Sequence, residues 1–145
     1  MSRQYCTFRL DGHLFGVPVE SVQEVLKQQE LTTVPHAPAG IEGLINLRGQ
    51  IITTLDMRSR LGLQPRTDSS SVIDVVVRTA DGDVVSLLVD EIGDVLEPGP
   101  EYFEELPETV PASIRGTVTS VCKLDGQLML VLDTESAVRL DLEKV

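Results

Sequence analysis

The dipeptide Asp-Gly falls three times between runs of β-branched and aliphatic residues, and no other feature limits the fold of this chain so sharply. The segments are YCTFRL-DG-HLFGVPV at Asp11-Gly12, IDVVVRTA-DG-DVVSLLV at Asp81-Gly82 and VTSVCKL-DG-QLMLVLD at Asp125-Gly126. A two-residue turn of type I′ needs positive φ at both central positions, which Asp and Gly tolerate, so each segment predicts a tight antiparallel hairpin. A fourth segment, LINL-RG-QIITTLD, has the same outline with Arg48-Gly49 at the turn. Four hairpins within 145 residues commit the chain to β structure.

The hairpins repeat. Sliding the first half along the second until Asp11-Gly12 meets Asp81-Gly82 also pairs Val19 with Val89 and Val25-Leu26 with Val95-Leu96. Further on, VPHAPAGIEG resembles VPASIRG, and the turn glycines Gly49 and Gly126 each lie seven residues before an aspartate, Asp56 and Asp133. Each aspartate is a plausible N-cap for a short helical turn. The expected fold is mainly all-β: two small five-stranded SH3-like or OB-like β-barrels packed together, with short helices. The lobes fall at about 5–63 and 72–140 of one domain spanning 1–145, with strand exchange between them left open. The polar stretch QPRTDSSS (64–71) connects them. Aromatics are only 3% and Trp is absent, so Val, Leu and Ile must fill the core. The loop EPGPEYFEELPETVP (97–111) reads as solvated and acidic, pinned by Tyr102 and Phe103, and the closing TESAVRLDLEKV reads as a short helix with Val138 and Leu142 on one side.

The formal charge of −11 excludes a general grip on phosphate backbones, which Lys and Arg must neutralise, so no nucleic-acid partner is expected. Cys6 and Cys122 have no CxxC spacing and only two histidines to join them, so neither a metal nor a cofactor is expected, and a reducing cytoplasm fits. No apolar run is long enough to insert in a membrane, and the N-terminus lacks a secretory h-region. No catalytic constellation stands out. LDTES (132–136) resembles the Asp-Thr-Gly of aspartic proteases, but Glu135 replaces the glycine and Asp133 reads as an N-cap; His13 and His36 have no nucleophile at an informative spacing. No GxSxG, P-loop, GxGxxG or EF-hand pattern is present. The chain reads as non-enzymatic.

Arg48 breaks the turn rule its three counterparts obey. An Arg at positive φ costs about 1 kcal/mol against a permissive residue, and violations of local rules concentrate at functional positions. A turn of another type would accommodate the same Arg without strain.

Together, FRLDGHLFGVPVESVQEVL, VPHAPAGIEGLINLRGQIITTLDMRSRLGL, VVSLLVDEIGDVL and the closing LVLD resemble the CheW-type chemotaxis coupling proteins over roughly residues 5–140. GLINLRG is the most specific piece. The resemblance implies a non-catalytic cytoplasmic adaptor that couples the cytoplasmic tips of methyl-accepting chemoreceptors to the regulatory domain of a CheA-type histidine kinase. It implies that Arg48 helps hold the receptor tip in the groove between lobes, and that Val22, Glu24, Gly43 and Asn46 belong to the same coupling surface. It implies kinase contact by pairing of barrel ends, through apolar side chains at hairpin ends. Thr53-Thr54 stands where the family commonly has Pro and an aliphatic residue, and Met57 where it has Leu, so a regulatory module of a non-flagellar system, pilus-linked or other, is the second reading. A nucleic-acid-binding β-barrel and a hydrolase using Asp56 and Asp133 are remoter ones.

Overall fold

The computed structural model describes residues 3–37, 40–65 and 72–138, and every structural statement concerns these. Eleven strands run in chain order: β1 (Tyr5–Leu10), β2 (His13–Pro18), β3 (Val22–Lys27), β4 (Ile41–Leu47), β5 (Gln50–Asp56), β6 (Ile73–Arg78), β7 (Val84–Val89), β8 (Glu91–Leu96), β9 (Phe103–Glu104), β10 (Val118–Leu124) and β11 (Gln127–Leu132). Three single-turn helices accompany them, α1 (Met57–Arg60), α2 (Ala112–Arg115) and α3 (Thr134–Val138). The expected mainly-β, two-lobed architecture is what the chain adopts, as two sheets ordered β8-β1-β2-β11-β10-β9 and β3-β6-β7-β5-β4. The first has six strands where five were expected, because the acidic loop contributes Phe103–Glu104, which pairs with β10.

Neither sheet is built from one half of the sequence. The hairpin β1–β2 lies beside β8 and β11, and the hairpin β6–β7 lies between β3 and β5. Each half lends its first hairpin to the other half's sheet, and both meet the host's last strand in parallel, β2 on β11 and β7 on β5. Repeat and sheet are therefore interleaved.

This exchange explains the near-continuous apolar runs of the lent strands, whose two faces are both buried. On one face Phe8, Leu10, Phe15 and Val17 meet Val75, Val77, Leu87 and Val89 in a core shared by both sheets, closed by Leu55, Met57 and Leu61. On the other face Tyr5 and Leu14 join Cys122, Met129 and Val131 inside the six-stranded lobe, while Val76 joins Ile45, Leu47 and Ile52 inside the five-stranded one. Phe8 and Phe15 stack at 6.0 Å between centroids. Each such side chain contributes about 1.5–3 kcal/mol by leaving water.

Only two of the four turns have both central residues left-handed: Asp11 (φ 50°) with Gly12, and Arg48 (φ 52°) with Gly49. At 125–126 only Gly126 is left-handed. The Asp81-Gly82 turn sits in a wider loop, where Thr79 N–H donates to the Asp83 carbonyl and Asp83 N–H to Thr79 Oγ1. The Ala80 amide in that loop donates to Glu135 of α3, so a neighbouring helix rather than the turn residues shapes it. Asp56 caps α1 by accepting from the Arg58 amide (3.2 Å), and Asp133 accepts from the Glu135 amide and Ser136 hydroxyl. Phe103 pins the acidic loop through Tyr5 at 5.6 Å, whereas Tyr102 is half exposed and does not. Arg66 to Ser71 of the connection, and Leu142, lie outside the described residues.

Thr54 is fully buried and its hydroxyl has no hydrogen-bond partner. Burying an unmatched hydroxyl costs about 1–3 kcal/mol. Thr54→Val, which keeps the shape and removes the hydroxyl, is expected to raise unfolding free energy by about 1 kcal/mol, read as a higher urea midpoint at unchanged slope.

Candidate functional site

Strands β4 and β5 carry Arg48 at the tip of their two-residue turn. The turn is held from within: Asn46 Oδ1 accepts from the Gly49 amide at 2.8 Å, satisfying a donor that the left-handed backbone turns outward. The Arg48 side chain is 68% exposed and reaches Glu24 on β3, whose side chain is 23% exposed. Nη1 donates to Glu24 Oε2 at 2.9 Å and Nη2 donates to Oε1, a two-point fork. The remaining guanidinium donors stay available to a second acceptor.

The ion pair joins opposite edges of one sheet. β3 and β4 end the order β3-β6-β7-β5-β4, so contact between Glu24 and the β4–β5 turn requires the sheet to roll up. The chain after β3 assists, since Thr32 and Leu44 exchange backbone hydrogen bonds at 2.8 and 2.9 Å. Gly43 makes that approach possible: a Cβ there would stand 2.6 Å from the Thr32 carbonyl oxygen. Asp74, buried on β6, holds the start of the same segment by accepting from the Gln29 amide and the Ser86 hydroxyl. Val22, half-buried at the start of β3, packs against the shared core.

The residues singled out in the sequence therefore fall into three groups. Arg48 and Glu24 form one ion pair, with Asn46 bracing the turn that carries Arg48; Gly43 serves the closure of the lobe; Val22 lies at the edge of the shared core. The Arg48 hydrogen bonds, and secondarily its charge, hold the Glu24 carboxyl below the ordinary glutamate range, and Glu24 raises the Arg48 guanidinium in turn. Arg48 at the turn is strained and half-matched, yet open to solvent.

Exposed apolar residues escaped notice in the sequence. Ile51 is 61% exposed and pairs directly with Asn46 across the hairpin. Val25 pairs with Val75, and Ile92 and Val95 on β8 pair with Phe8 and Cys6, so all three continue the shared-core face to its rims, where they are exposed. The signal was present in the repeat, which matches Val25 with Val95 and sets Ile51 and Leu128 at equal distances past their turn glycines. Strand alternation alone hides it, because an apolar residue on a strand reads as core.

The repeat also shows what is particular to one lobe. The positions matching Glu24 and Arg48 are Asp94 and Asp125, two acids that cannot clasp. In that lobe the short strand β9 lies along β10, and Lys123 pairs with Glu104 at 3.1 Å. Among the four Xaa-Gly turns of the described residues, only that of β4–β5 has a cation as its first central residue.

A depressed carboxyl contributes above its unfolded pKa and loses that contribution as pH falls through its folded pKa. The Glu24 midpoint, followed by side-chain NMR, is expected below that of a free glutamate, and Arg48→Ala is expected to return it upward. Gly43→Val is expected to cost about 1–3 kcal/mol and to speed amide exchange at Thr32 and Leu44, since a backbone oxygen must move to admit the side chain.

Residues 4–141 match the family of CheW-like domains. The probable chemotaxis protein CheW of Rhizobium etli is 29% identical over 134 residues, covering 92% of this chain and 86% of that protein. The chemotaxis protein CheW of Bacillus subtilis is 29% identical over 131 residues, covering 89% and 82%. The protein PilI of Pseudomonas aeruginosa is 31% identical over 103 residues, covering 69% of this chain and 56% of that one. Among solved structures, the scaffolding protein TtCheW from Thermoanaerobacter tengcongensis superposes with a TM-score of 0.82 at 29% identity, over 92% of this chain and 90% of that chain. With interleaved sheets and an Arg-Gly turn clasped across the edges of one lobe, this chain belongs to the CheW-like domain family.

Proposed function

We propose that this chain is a non-catalytic cytoplasmic adaptor that couples chemoreceptor signalling tips to the regulatory domain of a CheA-type histidine kinase. The observation that carries the reading is Arg48: left-handed, 68% exposed, oriented by Glu24 and set beside exposed Ile51. A receptor tip is a helical bundle with acidic and polar side chains, and a guanidinium already held in one orientation loses little freedom on accepting a carboxylate from it. Apolar contact comes from Ile51 and from the rims at Val22, Val25, Ile92 and Val95. Such a small surface around an Arg anchor supports a contact near 1 µM, about −8 kcal/mol, which an array multiplies through effective concentration. No helix among the described residues is long and apolar enough to cross a membrane, and no group of three His, Cys, Asp or Glu there is placed to hold a metal.

Similarity to PilI, together with Thr53-Thr54, favours a second reading in which the same adaptor chemistry serves a non-flagellar chemosensory system. Disrupting the gene separates the two: loss of swimming chemotaxis supports a flagellar output, and a change confined to surface movement supports the other.

Arg48→Glu is expected to weaken capture of a purified receptor signalling tip at least about tenfold while leaving the melting temperature near that of the wild type. Unchanged capture would remove Arg48 from the docking surface.

A further inference from the structure

The chain passes between the two sheets at two places in the repeat, and they are built differently. From β2 to β3 it crosses through a 3₁₀ turn, Val19–Ser21, whose Glu20 pairs with Arg3; both side chains are more than half exposed. From β7 to β8 it crosses in one residue, Asp90. Arg58 of α1 is fixed on that residue: its Nε lies 3.0 and 3.1 Å from the two Asp90 carboxylate oxygens, and Nη2 donates to Oδ2 at 2.6 Å. Arg58 Nη1 also donates to the Gln64 carbonyl at 3.0 Å and lies 3.8 Å from Asp11. Asp90 Oδ2 accepts in addition from the Asp11 amide at 2.8 Å, and the Asp90 amide donates to the Arg9 carbonyl. The Arg58 and Asp90 side chains are only 16% and 18% exposed.

One guanidinium therefore ties three places: the helix after β5 in one sheet, the β1–β2 turn in the other, and the single residue where the chain changes sheet. The repeat does not supply this twice, because the position matching Arg58 is Glu135, which holds the loop at Ala80 and no crossover. Beyond Asp90 lies β8, an edge strand with five of six residues exposed, carrying Ile92 and Val95. With one residue of connection, Asp90 fixes where β8 begins, and the ladder to β1 and the Thr7 hydroxyl on the Asp94 carbonyl carry the strand on from there.

We propose that Arg58, acting through Asp90, is a latch on the crossover between the sheets and a positioning residue for β8, so that a partner seated on the shared-core rim depends on it without touching it. The docking half of this proposal rests on the functional reading above; the latch itself does not.

The test compares Arg58→Ala, Arg58→Lys and Asp90→Asn in the full chain by amide hydrogen exchange and by affinity for a purified receptor signalling tip. Arg58→Ala is expected to speed exchange at Glu91–Leu96 and at Asp11–His13 by about tenfold or more, with β4 and β5 unchanged. Arg58→Lys, which keeps one charged contact, is expected to recover most of that protection. A uniform rise over all strands, or no rise at β8, overturns the latch, and so does failure of Lys to rescue. Should Arg58→Ala not fold, Asp90→Asn, which keeps the shape and removes the charge, is judged by the same pattern. Receptor-tip affinity is expected to fall about tenfold in Arg58→Ala while the Glu24 titration stays that of the wild type; unchanged affinity overturns the docking half. If the wild type captures no receptor tip, the functional reading and the docking half fall together, and the exchange pattern alone decides the latch.

Discussion

The core shared by the two lent hairpins is the constraint from which the other features of the fold follow. Phe8, Leu10, Phe15 and Val17 come from a hairpin that belongs by sequence to one half and by hydrogen bonding to the other, and the same holds for Val75, Val77, Leu87 and Val89. Neither lobe can close its ladder without the other half's strands, so the two must order together and their separation would expose the largest apolar cluster among the described residues. The pair of lobes is held by this core and not by a disulfide, since both cysteines are free, although each lobe alone is below the size at which a single core is secure. Cys6 and Cys122, both free and buried, have thiols pushed upward by desolvation and serve as small apolar residues.

The two halves share a frame, and the differences between them carry the chemistry. Glu24 and Arg48 stand where the other copy has Asp94 and Asp125; Arg58 stands where it has Glu135. The copy with cations gained an edge-to-edge clasp and a crossover tie, whereas the other copy closes its sheet with β9. Two lobes with similar backbones thereby offer different surfaces, which suits the proposed role of an adaptor between unlike partners.

Much of this was legible in the residues. Turn chemistry located the hairpins because a type I′ turn is a local requirement, and Arg48 drew attention because its three counterparts are Asp. The same rule misjudged Asp81, whose loop is shaped by Glu135 across the molecule, a contact that local sequence does not encode. Strand exchange is of the same kind: which hairpin a strand accepts depends on packing between segments more than fifty positions apart, as in Met129 against Leu14. The two residues of β9 have no periodicity to detect. The coupling between Glu24 and Arg48 could not be read from their spacing, because it arises only when the sheet rolls and brings its first and last strands together.

The charge of the whole molecule bears on how Arg48 would work in the proposed role. A protein of net charge −11 repels an acidic helical tip at long range, so Arg48 cannot act by steering. At physiological salt a single charge is screened within about 8 Å, which confines its attraction to partners already in contact. In that range the fork geometry matters more than the charge: Glu24 has oriented the guanidinium, and an incoming carboxylate must meet donors left over by that pair. The cost of approach is met by apolar contact at Ile51 and along the rims of the shared core, where burial is insensitive to salt. Recognition in the proposed role is therefore short-ranged and geometric, and it suits a lattice in which neighbours are already held together.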